Sequence, residues 1–182
     1  MAVLPIRTFP SPFLKKSTRP IGRITPSVHQ LVDDLIETMR HHPRCVGLAA
    51  PQVGCDVRIA VIDVAHHPKA TGSCGLLVCI NPQLLVREGG SVQREGCLSV
   101  PDLTANVPRA TRVQLKALDA TGEPWARWLD GFEAIVAQHE VDHLDGTLFL
   151  DRVGNVKSDV FRRKTYLFPP EQSAKSPSTK SQ

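Results

Sequence analysis

Two kinds of repeat order the apolar positions of this chain and divide it into helices and strands. Val28, Leu31, Val32, Leu35, Ile36 and Met39 recur at three- and four-residue intervals, the period that keeps side chains on one helix face. Thr25-Pro26 supplies a cap and a first-turn proline, and His41-His42-Pro43 supplies a stop, so a packing helix is predicted between them. The same interval returns at Phe132, Ile135, Val136, His139 and His143. Asp130 sits where an N-cap belongs, Glu133 follows three residues on, and Gly146 is placed as a C-cap, which predicts a second helix near residues 131 to 145. Val57 to Val64 is dense in β-branched residues and reads as a buried strand. Leu76 to Ile80 and Val113 to Leu118 read as further strands, with Asp119 to Gly122 marking a turn toward Trp125 to Leu129. Strands that follow one another without intervening helices pair antiparallel. The expected fold is therefore α+β, with antiparallel or mixed β-sheets packed around the second helix.

The remaining segments punctuate this pattern. Pro5 to Ile24, rich in proline and basic residues, reads as an extended strap without chemistry of its own. Cys45 to Gly54 is a loop of small residues, and Ala65 to Gly75 is an exposed connection. Beyond Asp151 one more short element is expected, with Val160, Tyr166 and Leu167 packing before Phe168-Pro169-Pro170 stops it. The end of the chain is Ser, Lys, Gln and Pro of low complexity, so one domain over residues 1–168 and a disordered tail over 169–182 are predicted.

Composition narrows the function classes. A chain of 182 residues supports one domain with a real core. Five cysteines, odd in number and unevenly spaced, with no apolar leader before Pro10, point to a reducing compartment and a cytoplasmic location. No apolar run approaches the ~18 residues of a membrane span, so no membrane partner is expected. The net charge is +4, but residues 1–156 carry sixteen basic and sixteen acidic side chains, and the whole excess falls in residues 157–182. A balanced body argues against a nucleic-acid groove across it.

The candidate chemistry lies in Gln138-His139-Glu140-Val141-Asp142-His143. Two imidazoles four apart on one helix face can hold a metal ion, and Glu140, about 100° round the helix from His139, can reach a water beside it. The other reading is two core histidines and a surface glutamate. A catalytic site of this kind needs a third protein ligand. No histidine follows His143, Phe149 stands where the longer motif would place one, and Glu171 lies in the tail, so the ligand must come from upstream. Candidates there are His29, His41, His42, His66, His67 and the cysteines. Local sequence favours Cys97, in Glu95-Gly96-Cys97-Leu98-Ser99-Val100-Pro101, where Gly96 permits unusual dihedrals and Pro101 stiffens the exit of a loop or bulge.

In these residues the chain resembles the peptide deformylases. Their three motifs are matched, in order, by Gly47-Leu48-Ala49-Ala50-Pro51-Gln52, by Glu95-Gly96-Cys97-Leu98-Ser99 and by Gln138 to His143, within a similarity running from about residue 5 to about residue 165. The resemblance implies a metal-dependent hydrolase that removes the N-formyl group from N-formyl-methionyl nascent peptides and releases formate. It implies Cys97, His139 and His143 as metal ligands, Glu140 as general base and then acid, and Gln52 with the Leu98 backbone N–H as donors to the oxyanion. It also implies Fe(2+) as the metal in cells. The ligand set accommodates Zn(2+), Ni(2+) or Co(2+) as well. Val46, Gly47, Phe132, Ile135 and Val136 are the candidates for substrate binding, the apolar ones for the methionine pocket, their alternative role being ordinary core. Cys45 departs from the family, which has a glycine there. Transient ribosome association is the one further partner admitted, although the long basic C-terminal helix of some deformylases is absent. Two other readings stay open: a metallopeptidase, and a non-catalytic binding protein on the same fold.

Overall fold

The computed structural model describes residues 2–164, so the expected packing of Tyr166 and Leu167 and the predicted tail lie outside the described residues. α1 spans Pro26–His41, followed by β1 (Gly47–Ala49), β2 (Ile59–Ile62), β3 (Leu77–Glu88), β4 (Ser91–Cys97), β5 (Val100–Arg109), β6 (Arg112–Leu118) and β7 (Pro124–Asp130). α2 (Gly131–Leu144), a one-turn α3 (Val156–Asp159) and β8 (Val160–Arg162) complete the order. The strands form a five-stranded sheet, β1-β2-β3-β6-β7, and a three-stranded sheet, β4-β5-β8, paired antiparallel throughout. The α+β expectation stands, with α2 between the sheets. No helix among the described residues is long and apolar enough to cross a membrane.

Two strand readings are revised. The segment 57–64 keeps only Ile59–Ile62 as strand, all four buried. The segment 76–80 is the start of a twelve-residue strand, whose register shifts near Asn81 and again between Leu84 and Val86 let it continue past Pro82. Asn81 adopts φ +53 and pairs both ways with Ile21, its Oδ1 accepting from the N–H and its Nδ2 donating to the carbonyl, each at 2.8 Å. The positioned loop or bulge read at Glu95 to Pro101 is the tip of the β4–β5 hairpin, with Leu98 and Ser99 as the turn and a register shift between Gly96 and Cys97.

α2 is the buried helix around which the sheets were expected to pack, and its burial extends beyond one face. Eleven of its residues, among them Glu133, Gln138, Glu140 and Asp142, are buried, so it is enclosed on all sides and its polar residues must find partners inside the protein. Neither end of the predicted capping box caps. Asp130 pairs with Arg112 at 3.3 Å, and Glu133 accepts from the Ser73 hydroxyl and the Cys74 N–H. The C-terminus does close as its glycine promises: Gly146, at φ +71, donates to His143 O, and Thr147 N–H donates to Asp142 O, the two bonds of a Schellman motif. A methyl group on Gly146 would stand 2.8 Å from the backbone of Lys15, so the strap can cross the helix end only at a glycine. The strap then ties itself down through Thr18, whose N–H and hydroxyl both donate to Leu144 O at 2.9 Å.

Candidate active site

His139 and His143 stand one turn apart on α2, their rings nearly perpendicular with centroids 4.9 Å apart. Cys97 reaches them from the end of β4, where the register shift re-aims its side chain. Its Sγ lies 3.2 Å from His143 Nε2, and ligand atoms of all three side chains fall within 4.8 Å of one another. A tetrahedral shell with bonds of ~2.0–2.3 Å sets such atoms about 3.5 Å apart, so one sulfur and two nitrogens here fit a single divalent metal. Among the described residues this is the one such cluster, so the other upstream histidines and cysteines are not brought to it.

Electrostatics favour the thiolate form of Cys97. Burial would raise the Cys97 pKa, but the charges and hydrogen bonds of His143 and His139 outweigh it and hold the thiol well below its ordinary value. The Gln52 amide at 3.3 Å and the Ser99 N–H at 3.4 Å also donate to Sγ. Gln52 therefore has a fixed orientation. Its Oε1 accepts from Ala49 N–H at 2.9 Å, so Nε2 is turned toward Cys97 and Ser99. The amide both ties down its loop and aims a donor into the site. The strap helps hold these loops, with Arg7 N–H donating to Gln52 O and Phe9 N–H to Ser99 O.

Glu140 is buried beside Gly47, and its Oε2 has no protein partner. Burial first, then the negative charges of Cys97 and Glu95, push its pKa up to about 7 against the opposing pull of His139 and His143. A carboxyl poised there can take or give a proton near neutral pH.

Sequence reasoning missed the layer behind the histidines. Glu95 Oε2 pairs with His139 Nδ1 at 2.8 Å, which leaves Nε2 as the ring nitrogen free for a metal. Arg109, 4% exposed, spans two carboxylates: Nε and Nη2 donate to Glu95 at 2.6 and 3.0 Å, and Nη1 donates to Asp142 at 2.6 Å. Arg152 then closes on Asp142 with two further bonds. Burial raises the Glu95 pKa, yet His139 and Arg109 bring it down to about 2. Gln138 bonds to both the N–H and the carbonyl of Ala110 and so fixes the β5–β6 turn to α2. A signal existed in the strand period, which puts Glu95 and Cys97 on one face of β4. Nothing local pointed to Arg109.

The proposed pocket residues separate. Val136 belongs to the core under the five-stranded sheet, with Val46 and Phe132 packed at its margin. Phe132 also stacks on His67, centroids 4.4 Å apart, so the 65–75 connection partly covers that end of α2. Ile135, one turn before His139, lies outside the core clusters. Leu98 is buried in the hairpin turn. Cys45 donates its thiol to Gly47 O at 3.2 Å, and burial, Glu140 and Cys97 push its pKa up to about 12 despite that bond, so it stays neutral.

This geometry has close relatives. The family model described as polypeptide deformylase matches residues 3–159. A peptide deformylase of Alkalilimnicola ehrlichii is 42% identical over 164 residues, which are 90% of this chain and 89% of that one. The crystal structure of peptide deformylase from Thermotoga maritima is similar with a TM-score of 0.77 at 36% identity, covering 85% of this chain and 100% of that chain. The class I type b peptide deformylase from Acinetobacter baumannii, solved with Met-Ala-Ser bound, has a TM-score of 0.77 at 34% identity, covering 84% of this chain and 99% of that chain. Sequence and structure agree over nearly the whole length of chain and relatives, and this chain belongs to the polypeptide deformylase family of enzymes.

Proposed function

We propose that the protein removes the N-formyl group from the N-terminal formyl-methionine of newly made polypeptides in the cytoplasm and releases formate. The observation that carries this reading is the convergence of Cys97, His139 and His143 beside the buried carboxylate of Glu140, whose Oε2 has no protein partner. A divalent metal ion held by Cys97, His139 and His143, Fe(2+) in cells and replaceable by Zn(2+), Ni(2+) or Co(2+), would supply Lewis acidity toward water and the formyl oxygen. Glu95 holds the His139 ring in the orientation this requires. Glu140 takes the proton of the attacking water and later returns it to the departing amine. Gln52 Nε2 and the Leu98 N–H donate to the oxyanion that develops on the formyl group.

Because a formyl group is small, binding energy must come from the methionine side chain and the adjacent backbone. In this reading Ile135 faces the methionine side chain, Val46, Phe132 and Val136 back the apolar pocket from the core side, and Gly47 takes substrate backbone along β1. β1 and β4 are edge strands of the two sheets, so an extended peptide can add to them by main-chain hydrogen bonds. The A. baumannii relative binds Met-Ala-Ser, a peptide that begins with methionine as a deformylated product does. Transient contact with the ribosome belongs to this reading as the place where substrates emerge.

Formate release from N-formyl-methionyl peptides by protein prepared anaerobically, measured alongside metal content, tests the proposal. Internal cleavage of blocked peptides without formate release would favour a metallopeptidase instead.

A further inference from the structure

The outer face of the three-stranded sheet carries a cation that the proposed deformylation leaves unused. Gly96 lies between Glu95 and Cys97 on β4, so the strand period turns it away from them, and it is exposed. Arg163 follows β8, is tied by its N–H to Asp102 O at 2.7 Å, and lays its guanidinium over the bare Cα of Gly96. A methyl group at Gly96 would collide with Arg163 Nη2 and stand 3.1 Å from Cζ and 3.3 Å from Nη1. Nη2 makes a long bond of 3.4 Å to Leu103 O, and Nε is buried with no partner. Among the described residues no carboxylate forms an ion pair with it, although the Asp102 carboxylate and the Cys97 sulfur act on it at longer range. A guanidinium offers five donors in a fork suited to carboxylates, and this one has most of them unspent. Its neighbour Arg94 is occupied, stacked on Phe161 at 3.5 Å and bonded to Thr104.

Position gives this cation a role. Gly96 is one residue from Cys97 on the edge strand β4, and a peptide extended along that edge advances about 3.4 Å per residue away from the metal ligands. Residues just beyond the methionine would therefore pass the guanidinium. We propose that Arg163 is a specificity-determining residue that reads the second or third residue after the formyl-methionine, favouring a carboxylate there and disfavouring lysine or arginine. This inference rests on the deformylase reading.

The test compares formate release by the full, metal-loaded chain from amidated N-formyl-Met-Ala-Asp-Asp, N-formyl-Met-Ala-Ser-Ser and N-formyl-Met-Ala-Lys-Lys. The wild type should favour the acidic peptide over the basic one by about fivefold in kcat/KM, as a partly screened charge pair gives. The preference should lie in KM and shrink in high salt. R163A and R163Q should bring the ratio near one, while R163K retains part of it. Equal kcat/KM for the three peptides in the wild type, or an unchanged ratio in R163Q, overturns the proposal, and the wild-type ratio decides even if R163A fails to fold. No formate from any peptide would sink the deformylase reading itself, whereas formate without discrimination sinks only the role of Arg163.

Discussion

The Cα of Gly47 lies directly against the carboxylate of Glu140: a methyl group built there would stand 2.5 Å from Oε1 and 2.9 Å from Cδ. β1 and α2 touch at this point because residue 47 has no side chain. A larger residue must push the carboxylate, which ends a flexible side chain, or the edge strand itself. Gly47→Ala should therefore keep the metal and lose turnover by about 10²-fold, the usual consequence of a misplaced catalytic group. Metal analysis with formate release on one preparation checks it, and unchanged turnover would mean that Glu140 has room to adjust.

Cys97 and Cys45 give opposite expectations although both are near Glu140. Cys97→Ala removes one of the three proposed ligands and should empty the site or weaken it severely. Cys45→Ala removes a neutral thiol bonded to Gly47 O and should leave metal content unchanged. Elemental analysis after dialysis separates them, and the reverse pattern would overturn the ligand assignment.

Glu140→Gln tests use of the metal apart from its retention. Metal content should stay near stoichiometric, substrate binding should barely change, and turnover should fall by at least ~10²–10⁴. The same variant has a signature in metal-free protein. Because the folded-state pKa of Glu140 is raised to about 7, the protonated carboxyl stabilises the fold below pH ~4.5, and that stability is lost as pH rises through 7. Metal-free Glu140→Gln should therefore melt higher than metal-free wild type at pH 8 and near it at pH 4. A variant that melts lower at both would assign Glu140 a structural part.

Glu95 has the opposite sign. Its folded-state pKa, brought down to about 2, means that the carboxylate stabilises the fold above pH ~4.5 and that this is lost as pH falls toward 2. Glu95→Gln should cost metal-free protein about 3 kcal/mol at pH 7, since every tenfold gain in the acidity of a folded-state carboxyl is worth ~1.4 kcal/mol, and the difference should close near pH 2. Denaturant melts across this range measure it. Metal affinity should also drop by about 10–100-fold, as expected when the carboxylate behind a ligating histidine is removed. A stability difference that does not vary with pH would show that Glu95 acts by packing alone.

The candidate site of this protein was legible in the sequence because it is written in short spacings. Two histidines four apart share a helix face in any helix, and three short motifs in order are specific without coordinates. The strand-rich pattern of Val57 to Leu129 likewise required α+β, since nothing helical separates those runs. Tertiary structure alone decided what depends on contacts between distant segments. The capping residues Asp130 and Glu133 are engaged elsewhere, the exposed Asp130 by Arg112 on the neighbouring strand and the buried Glu133 by the 73–74 turn, and both partners come from segments distant in the sequence. The hairpin at Cys97 hid its strands because Gly96 and Pro101 are turn formers locally and strand residues once β5 pairs with them. The Glu95–Arg109–Asp142–Arg152 network joins four residues across 57 positions, and no local period links a strand arginine to a helix carboxylate. The same holds for Arg163 over Gly96: the sequence supplies an arginine and a glycine, and only the pairing of β8 beside β5 lays one across the other.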